Sequence, residues 1–291
     1  MPKNFGLIAD QPRTTQIGKL YKTASFLISE QLALIDPLKF SERQAATVTN
    51  RVNSIVKKLN TEAAKWSHNS VPESYKEAMA TTRNILRILG AKKNILFENK
   101  AHTQAIDLDE SQTILVYLEA NASIRRTVET YINLMRYAAT SIIQVEAWDL
   151  RDEEVIAGLL DDVIREGGSR QDLAGLIRQH FKQNFGEAQF ININGRNYQM
   201  GKYAKMVART RLRVVQSDAV KNMSAQYEND LIEISDHGTT SAVCIPFEGN
   251  VYSISGNTPG FEVLTEWPPF HPNCEHHAAP TSEAAIFVGG R

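Results

Sequence analysis

Apolar residues return every three or four positions through the first two-thirds of this chain, the period of helices that bury one face. Ile17, Leu20, Ala24, Leu27 and Leu34 keep that spacing, and Tyr21, Ile28 and Ile35 beside them broaden the stripe. Gln31 interrupts the seam. Asp36-Pro37 ends it, because the residue before a proline is pushed out of helical geometry. Ser41-Glu-Arg-Gln44 reads as a capping box opening a second helix with Val48, Val52, Ile55 and Leu59 on one face. Another helix is expected from about Ser74 to Leu89, stopping at Gly90. A long one follows Asp109-Glu-Ser111, with Ile124, Val128, Tyr131, Met135 and Ala138 spaced for burial. A shorter pair brackets Gly167-Gly168, from Glu154 to Glu166 and from Ser169 to His180 or Phe181. Ahead of all these, residues 1–16 contain Pro2 and Pro12 and no periodicity, which reads as an extended arm.

The texture changes near residue 186. Phe190 to Met200 places Asn194-Gly195 between two short alternating runs, the pattern of a β-hairpin. One more helix is expected from about Lys202 to Tyr227, its core face formed by Tyr203, Met206, Val207, Thr210 and Val214. Strand-like pieces follow at Leu231–Ile234, Ala242–Ile245 and Asn250–Ile254. The predicted class is α+β. An elongated helical region over 17–185 precedes a small α+β domain over 186–282, and residues 283–291 read as a flexible tail. No internal repeat or low-complexity segment appears.

Composition narrows the classes. The chain has 291 residues, enough for one large domain or two ordinary ones. Two cysteines exclude a disulfide-stapled secreted scaffold. No apolar run is long enough for a membrane span, and the N-terminus lacks a signal-like apolar core. A formal net charge of −1 argues against a bulk polyanion binder, so any nucleic-acid contact must be local.

Scarce reactive residues gather at the C-terminal end. Both cysteines and four of the seven histidines, His237, His271, His276 and His277, lie between residues 237 and 277. Cys244, His271, Cys274 and either His276 or His277 offer soft and imidazole ligands suited to a structural zinc. Pro268, Pro269 and Pro272 stiffen that loop. No Cys-x-x-Cys pair exists, so the same residues also suit a packed, hydrogen-bonded loop without metal or other cofactor. Cys244 or Cys274 with His271 would meet the minimum for a thiol nucleophile, but no third orienting group can be placed. Separately, Lys202, Lys205, Arg209 and Arg213 share one helical face that could track DNA phosphates. That stripe could equally be solvated, or pair with the acidic stretch from Glu228 to Asp236. The N-terminal stripes serve either as bundle core or as a docking face for a large partner.

The C-terminal third also carries a resemblance. Ile193-Asn-Gly195-Arg-Asn-Tyr198, then Tyr203-Ala-Lys-Met206-Val-Ala-Arg209-Thr210, resembles the opening of the C-terminal domain of Mu F-like phage head morphogenesis and minor capsid proteins. Asp230 to His237, Cys244 to Gly256 and Pro268-Pro-Phe-His271-Pro-Asn-Cys274 continue it in order and spacing. The resemblance covers about residues 150–280. It implies a low-copy component of the virion head or procapsid, made in the host cytoplasm. It further implies association with the portal and other capsid or scaffold proteins, a part in head assembly, and a role in DNA packaging or delivery. Many members carry Cys-x-x-Cys where this chain has Cys244-Ile-Pro-Phe247, and Cys-Arg-Cys where it has Cys274-Glu-His276. His276 can stand in for one such ligand, Phe247 cannot, and a four-ligand site would call on His237 or His277. Relatives of the domain have been likened to ADP-ribosyltransferases, so an enzyme acting on a host target is the alternative. No arginine, serine and glutamate trio for that chemistry is evident, and a non-enzymatic role is expected.

Overall fold

The structure, a computed structural model, describes residues 11–35, 41–92, 190–193 and 196–288, together with Glu129 and Gln179. The helices expected over 109–138 and 154–181 lie outside the described residues. The architecture is α+β. The elements in order are α1 (Gln11–Ala33), α2 (Glu42–Ile88), β1 (Phe190–Ile193), β2 (Arg196–Gln199), α3 (Met200–Gln226), β3 (Leu231–Ile234), β4 (Val251–Ser253), β5 (Ala278–Pro280) and α4 (Glu283–Val288). Contacts divide the chain into two units. One comprises Gly18–Ala64 and Leu115–Tyr203, the other Met1–Ile17, Lys65–Ile114 and Ala204–Arg291.

Helix α1 starts at Gln11, inside the stretch read as an extended arm. Pro12 sits in its first turn, where a missing N–H costs no hydrogen bond. Its buried face is Ile17, Tyr21, Ala24, Ile28 and Leu32, and Ile35 just past its end is buried too, whereas Leu27 and Leu34 are exposed. The apolar stripe is therefore wider than the seam. Ser41 caps α2 as expected, its hydroxyl accepting the Gln44 N–H at 3.2 Å. The Gln44 side chain does not return to Ser41; its amide donates to Leu34 O at 2.9 Å and ties the helix start to the end of α1.

The two helices expected between 41 and 89 are one, running through Pro72. An internal proline removes one backbone bond and costs about 3 kcal/mol. Burial on both sides of it, at Ser67, Ser70, Val71, Ser74 and Tyr75, outweighs that cost. The helix ends where predicted. Gly90 adopts φ 75, Ala91 N donates to Leu86 O, and Gly90 N donates to Arg87 O, a Schellman closure.

In the first unit, Ala45, Val48, Val52, Val56, Leu59 and Ala63 form the buried face of α2. Gly201 comes so close to α1 that an added Cβ would lie 2.7 Å from Gly18 O. β1 and β2 pair antiparallel with Ile193 opposite Arg196, the register a two-residue turn requires.

In the second unit, Val71, Tyr75 and Ala78 of α2 pack on Leu212, Val215 and Ala219 of α3. Farther along, Leu86 meets Met223 and Tyr227. The α3 seam is thus Ala204, Ala208, Leu212, Val215, Ala219 and Met223. Tyr203, Met206, Val207, Thr210 and Val214, expected as core, are only half-buried. The face turned to α2 is the one carrying Leu212, Val215, Ala219 and Met223. Two polar pairs cross the same interface: Gln216 Nε2 donates to Ser74 Oγ at 3.1 Å, and Asn222 Nδ2 to Tyr75 OH at 2.8 Å.

The sheet is antiparallel with order β4-β3-β5. Its central residues Ile232 and Ile234 are fully buried with Val220, Tyr252, Leu264 and Ala278. The Ala278-Ala-Pro280 strand carries no β-propensity signal, and its proline is tolerated because the strand is an edge. The stretch Ala242–Ile245, expected as a strand, is instead part of a run of turns. Residues read as a flexible tail include α4, whose start Ser282 caps by accepting the Ala285 N–H.

Candidate metal centre

The sheet topology builds the site. β4 and β5 both run antiparallel to β3, so their beginnings flank its end. The chain leaving β3 (Ser235 to Gly238), the chain entering β4 (Ser241 to Asn250) and the chain entering β5 (Cys274 to His277) therefore meet. Backbone bonds extend the ladder to hold them there: Gly249 N to Ile234 O, Ile234 N to Asn250 O and Ser235 N to His277 O.

Each loop has a local reason for its shape. Cys244 N donates to Ser241 O at 2.9 Å, and both Phe247 N and Glu248 N return to Cys244 O. Cys244 thus heads a compact turn that projects its thiol inward. His271-Pro-Asn-Cys274 is a β-turn closed by Cys274 N to His271 O at 3.0 Å. Pro272 supplies the fixed φ of its second position, and Asn273 takes φ 65 at the third, as a type II turn demands. The Pro268-Pro269 peptide is cis, and Pro268 O accepts a short hydrogen bond from Ser217 Oγ of α3. Trp267 lies under the Lys221 ammonium, 4.6 Å from its ring centre.

Cys244, Cys274 and His276 come together, 0%, 2% and 2% exposed. The thiols are free and 3.9 Å apart, and Cys274 Sγ lies 3.5 Å from His276 Nδ1. His276 Nε2 donates to Glu248 Oε1 at 3.1 Å, which leaves the Nδ1 lone pair directed at Cys274. Glu248 also accepts the His237 N–H at 2.6 Å and the Thr239 N–H at 3.0 Å. Partial burial works to raise its pKa, but these backbone and imidazole donors outweigh it and hold the carboxyl below its ordinary range. Burial pushes the Cys244 thiol up, against a hydrogen bond to Ser241 and with Cys274 and Glu248 adding to the rise. His277 is driven down to about 4 by burial first, then by the charges of Arg213 and His237. Phe247 stacks on Phe270 at 4.3 Å, and Phe270 leans on His276 at 6.0 Å, walling the group with apolar rings.

Of the residues proposed from sequence, the structure unites Cys244, Cys274 and His276 and leaves His271 apart. The half-buried His271 ring turns its Nδ1 to Pro272 O at 2.7 Å. His237 lies at the edge of the group, its ring 5.1 Å from that of His276. Glu248 was missed. Its signal is that it is the single charged residue between Asp236 and Glu262. Asp230 was read only as part of an acidic stretch facing the basic helix. It instead accepts from Ser253 Oγ, Thr258 Oγ1 and Ser255 N, clamping the loop after β4. On α3, Lys202 is exposed and Lys205 and Arg209 are half-buried. Arg213 turns inward to donate to Gln216 Oε1 at 3.1 Å. Among the described residues, no helix is long and apolar enough to cross a membrane.

Residues 28–283 match the family model described as phage minor capsid protein 2. No curated protein and no solved structure gives a significant match. The chain belongs to the phage minor capsid protein 2 family.

Proposed function

We propose that this phage minor capsid protein works by docking, its N-terminal helices seating on the portal or the inner capsid wall during head assembly in the host cytoplasm. The observation that carries this is on α1. Outside its buried seam, Phe26 is 57% exposed and Leu27 39%, and Leu34, in the turn that follows the helix, 52%. Phe26 and Leu27 widen the apolar surface of α1 beyond the seam, and Leu34 adds a third exposed apolar side chain just past the helix end. A helix that already buries one apolar face and presents further apolar side chains has the pattern of an element recognised by a groove. The C-terminal unit serves in this reading as a rigid module fixed by its Cys/His loops. Packaged DNA as a further partner rests on Lys202, Lys205 and Arg209, since Arg213 is engaged with Gln216.

The test is assembly of heads carrying the double variant Leu27→Glu and Leu34→Glu. Purified variant protein should remain folded but be depleted from procapsids, and should fail to co-purify with portal protein across a salt series. Wild-type incorporation by the folded variant would overturn the docking face. For DNA, charge reversal at Lys202, Lys205 and Arg209 should lower both affinity and its salt slope. Unchanged binding reduces these residues to a solvated face.

A further inference from the structure

The family assignment leaves the buried group at the end of the sheet without a task. Three ligand-type atoms, Cys244 Sγ, Cys274 Sγ and His276 Nδ1, lie within 4.8 Å of one another, all on buried residues. Tetrahedral zinc with Zn–S of about 2.3 Å and Zn–N of about 2.0 Å sets its sulfurs about 3.8 Å apart and each sulfur about 3.5 Å from the nitrogen. The protein holds the two sulfurs 3.9 Å apart and Cys274 Sγ 3.5 Å from His276 Nδ1, with Cys244 Sγ within 4.8 Å of that nitrogen. Two buried thiols and an imidazole form a donor set suited to zinc and poorly suited to magnesium or calcium. The imidazole is also oriented as a ligand should be, because its remote nitrogen is fixed by a carboxylate that is itself anchored by two backbone N–H groups.

We infer that Cys244, Cys274 and His276 bind one zinc ion, with Glu248 as the positioning residue that fixes the His276 tautomer. Binding converts both thiols to thiolates and releases their protons to solvent. Among the described residues no fourth histidine, cysteine or carboxylate joins the group, so the fourth corner takes a water. The ion joins the turn before β4 to the loop before β5, two segments separated by 30 positions. It thereby locks the end of the sheet without a disulfide. His271 plays no part in ligation.

The experiment uses the full chain, purified without chelator from zinc-supplemented cells, with metal content measured by mass spectrometry. About one zinc per chain is expected, and cobalt exchange should give thiolate-to-cobalt charge-transfer bands. His271→Ala should keep wild-type affinity, while Glu248→Gln should bind about 10–100-fold more weakly in competition with a chromophoric chelator. Cys274→Ser should lose the ion. Should that variant not fold, stoichiometric zinc release from the wild type by chelator, with recovery of the cobalt bands on reloading, carries the same weight. Metal-free protein with two titratable thiols, or a Cys244–Cys274 disulfide without zinc, would overturn the site. Equal affinities for Glu248→Gln and His271→Ala would overturn the role of Glu248.

Discussion

Helix α1 with the first half of α2, and the loops at the end of the sheet, are ordered by different physics. Along the helices one face repeats. Ile17, Tyr21, Ala24, Ile28 and Leu32 on α1, and Val48, Val52, Val56 and Leu59 on α2, each add an increment of apolar burial. The sheet-end loops have no repeat. They are pinned by two carboxylates, Asp230 and Glu248, each collecting N–H or O–H donors from residues well separated in sequence. A repeated seam spreads its stability over many contacts and tolerates exposed apolar residues beside it. A pinned loop concentrates it in a few polar anchors, which makes it sensitive to protonation and to single-atom changes.

The contrast can be broken most forcefully at the sheet that carries the pinned loops. Ile232→Ala, at a fully buried central position, should cost about 2–5 kcal/mol. A lowered urea midpoint with unchanged slope would register it. On the helical side, Gly201→Ala forces a methyl onto Gly18 O and should destabilise by about 1–3 kcal/mol, read as a fall in melting temperature. Loss of the α2 cap in Ser41→Ala should cost about 1 kcal/mol, and a smaller loss would mean that the Gln44–Leu34 contact alone holds the helix start.

Asp230 probes the pinned loops by pH. Partial burial tends to raise its pKa, but donors from Ser253, Thr258 and Ser255 hold it at about 2 against an ordinary 3.8. The folded pKa is depressed, so the unfolded chain binds the proton more readily. The contribution is present above the unfolded value and is lost as pH falls from 3.8 towards 2. Discounted for solvent screening it is about 1 kcal/mol. The difference in stability between wild type and Asp230→Asn should shrink across that window. Smallest of all, Leu27→Glu should leave stability within about 0.5 kcal/mol, because its side chain lies off the buried seam. A larger loss would show that the broad stripe is core after all.

Much of this was legible in the chain. The Ser41 cap, the Gly90 stop, the hairpin register around Asn194-Gly195, and the extents of α3 and β3 follow from local chemistry. So did the kinship with phage minor capsid proteins, carried by an ordered set of C-terminal motifs. Readings failed where a distant partner chose among local options. Two helices were expected between Ser41 and Leu89, but burial on both sides of Pro72 carried α2 through as one. Apolar bulk on α3 argued for a Tyr203–Val214 face, but α2 packs on the face of Leu212, Val215, Ala219 and Met223. Ala242–Ile245 looked like a strand, but Cys244 and Ser241 closed it into turns.

Sequence alone determined the helical periods, the turn residues, the family, and the gathering of cysteine and histidine in one stretch. These rest on interactions within a few residues, which spacing records directly. The tertiary structure decided which histidine joins the cysteines. Two neighbours of a central strand must begin where that strand ends, and this geometry delivers Cys244, Glu248, Cys274 and His276 to one point while leaving His271 outside it. No spacing along the chain encodes that meeting, because it is made by hydrogen bonds between strands.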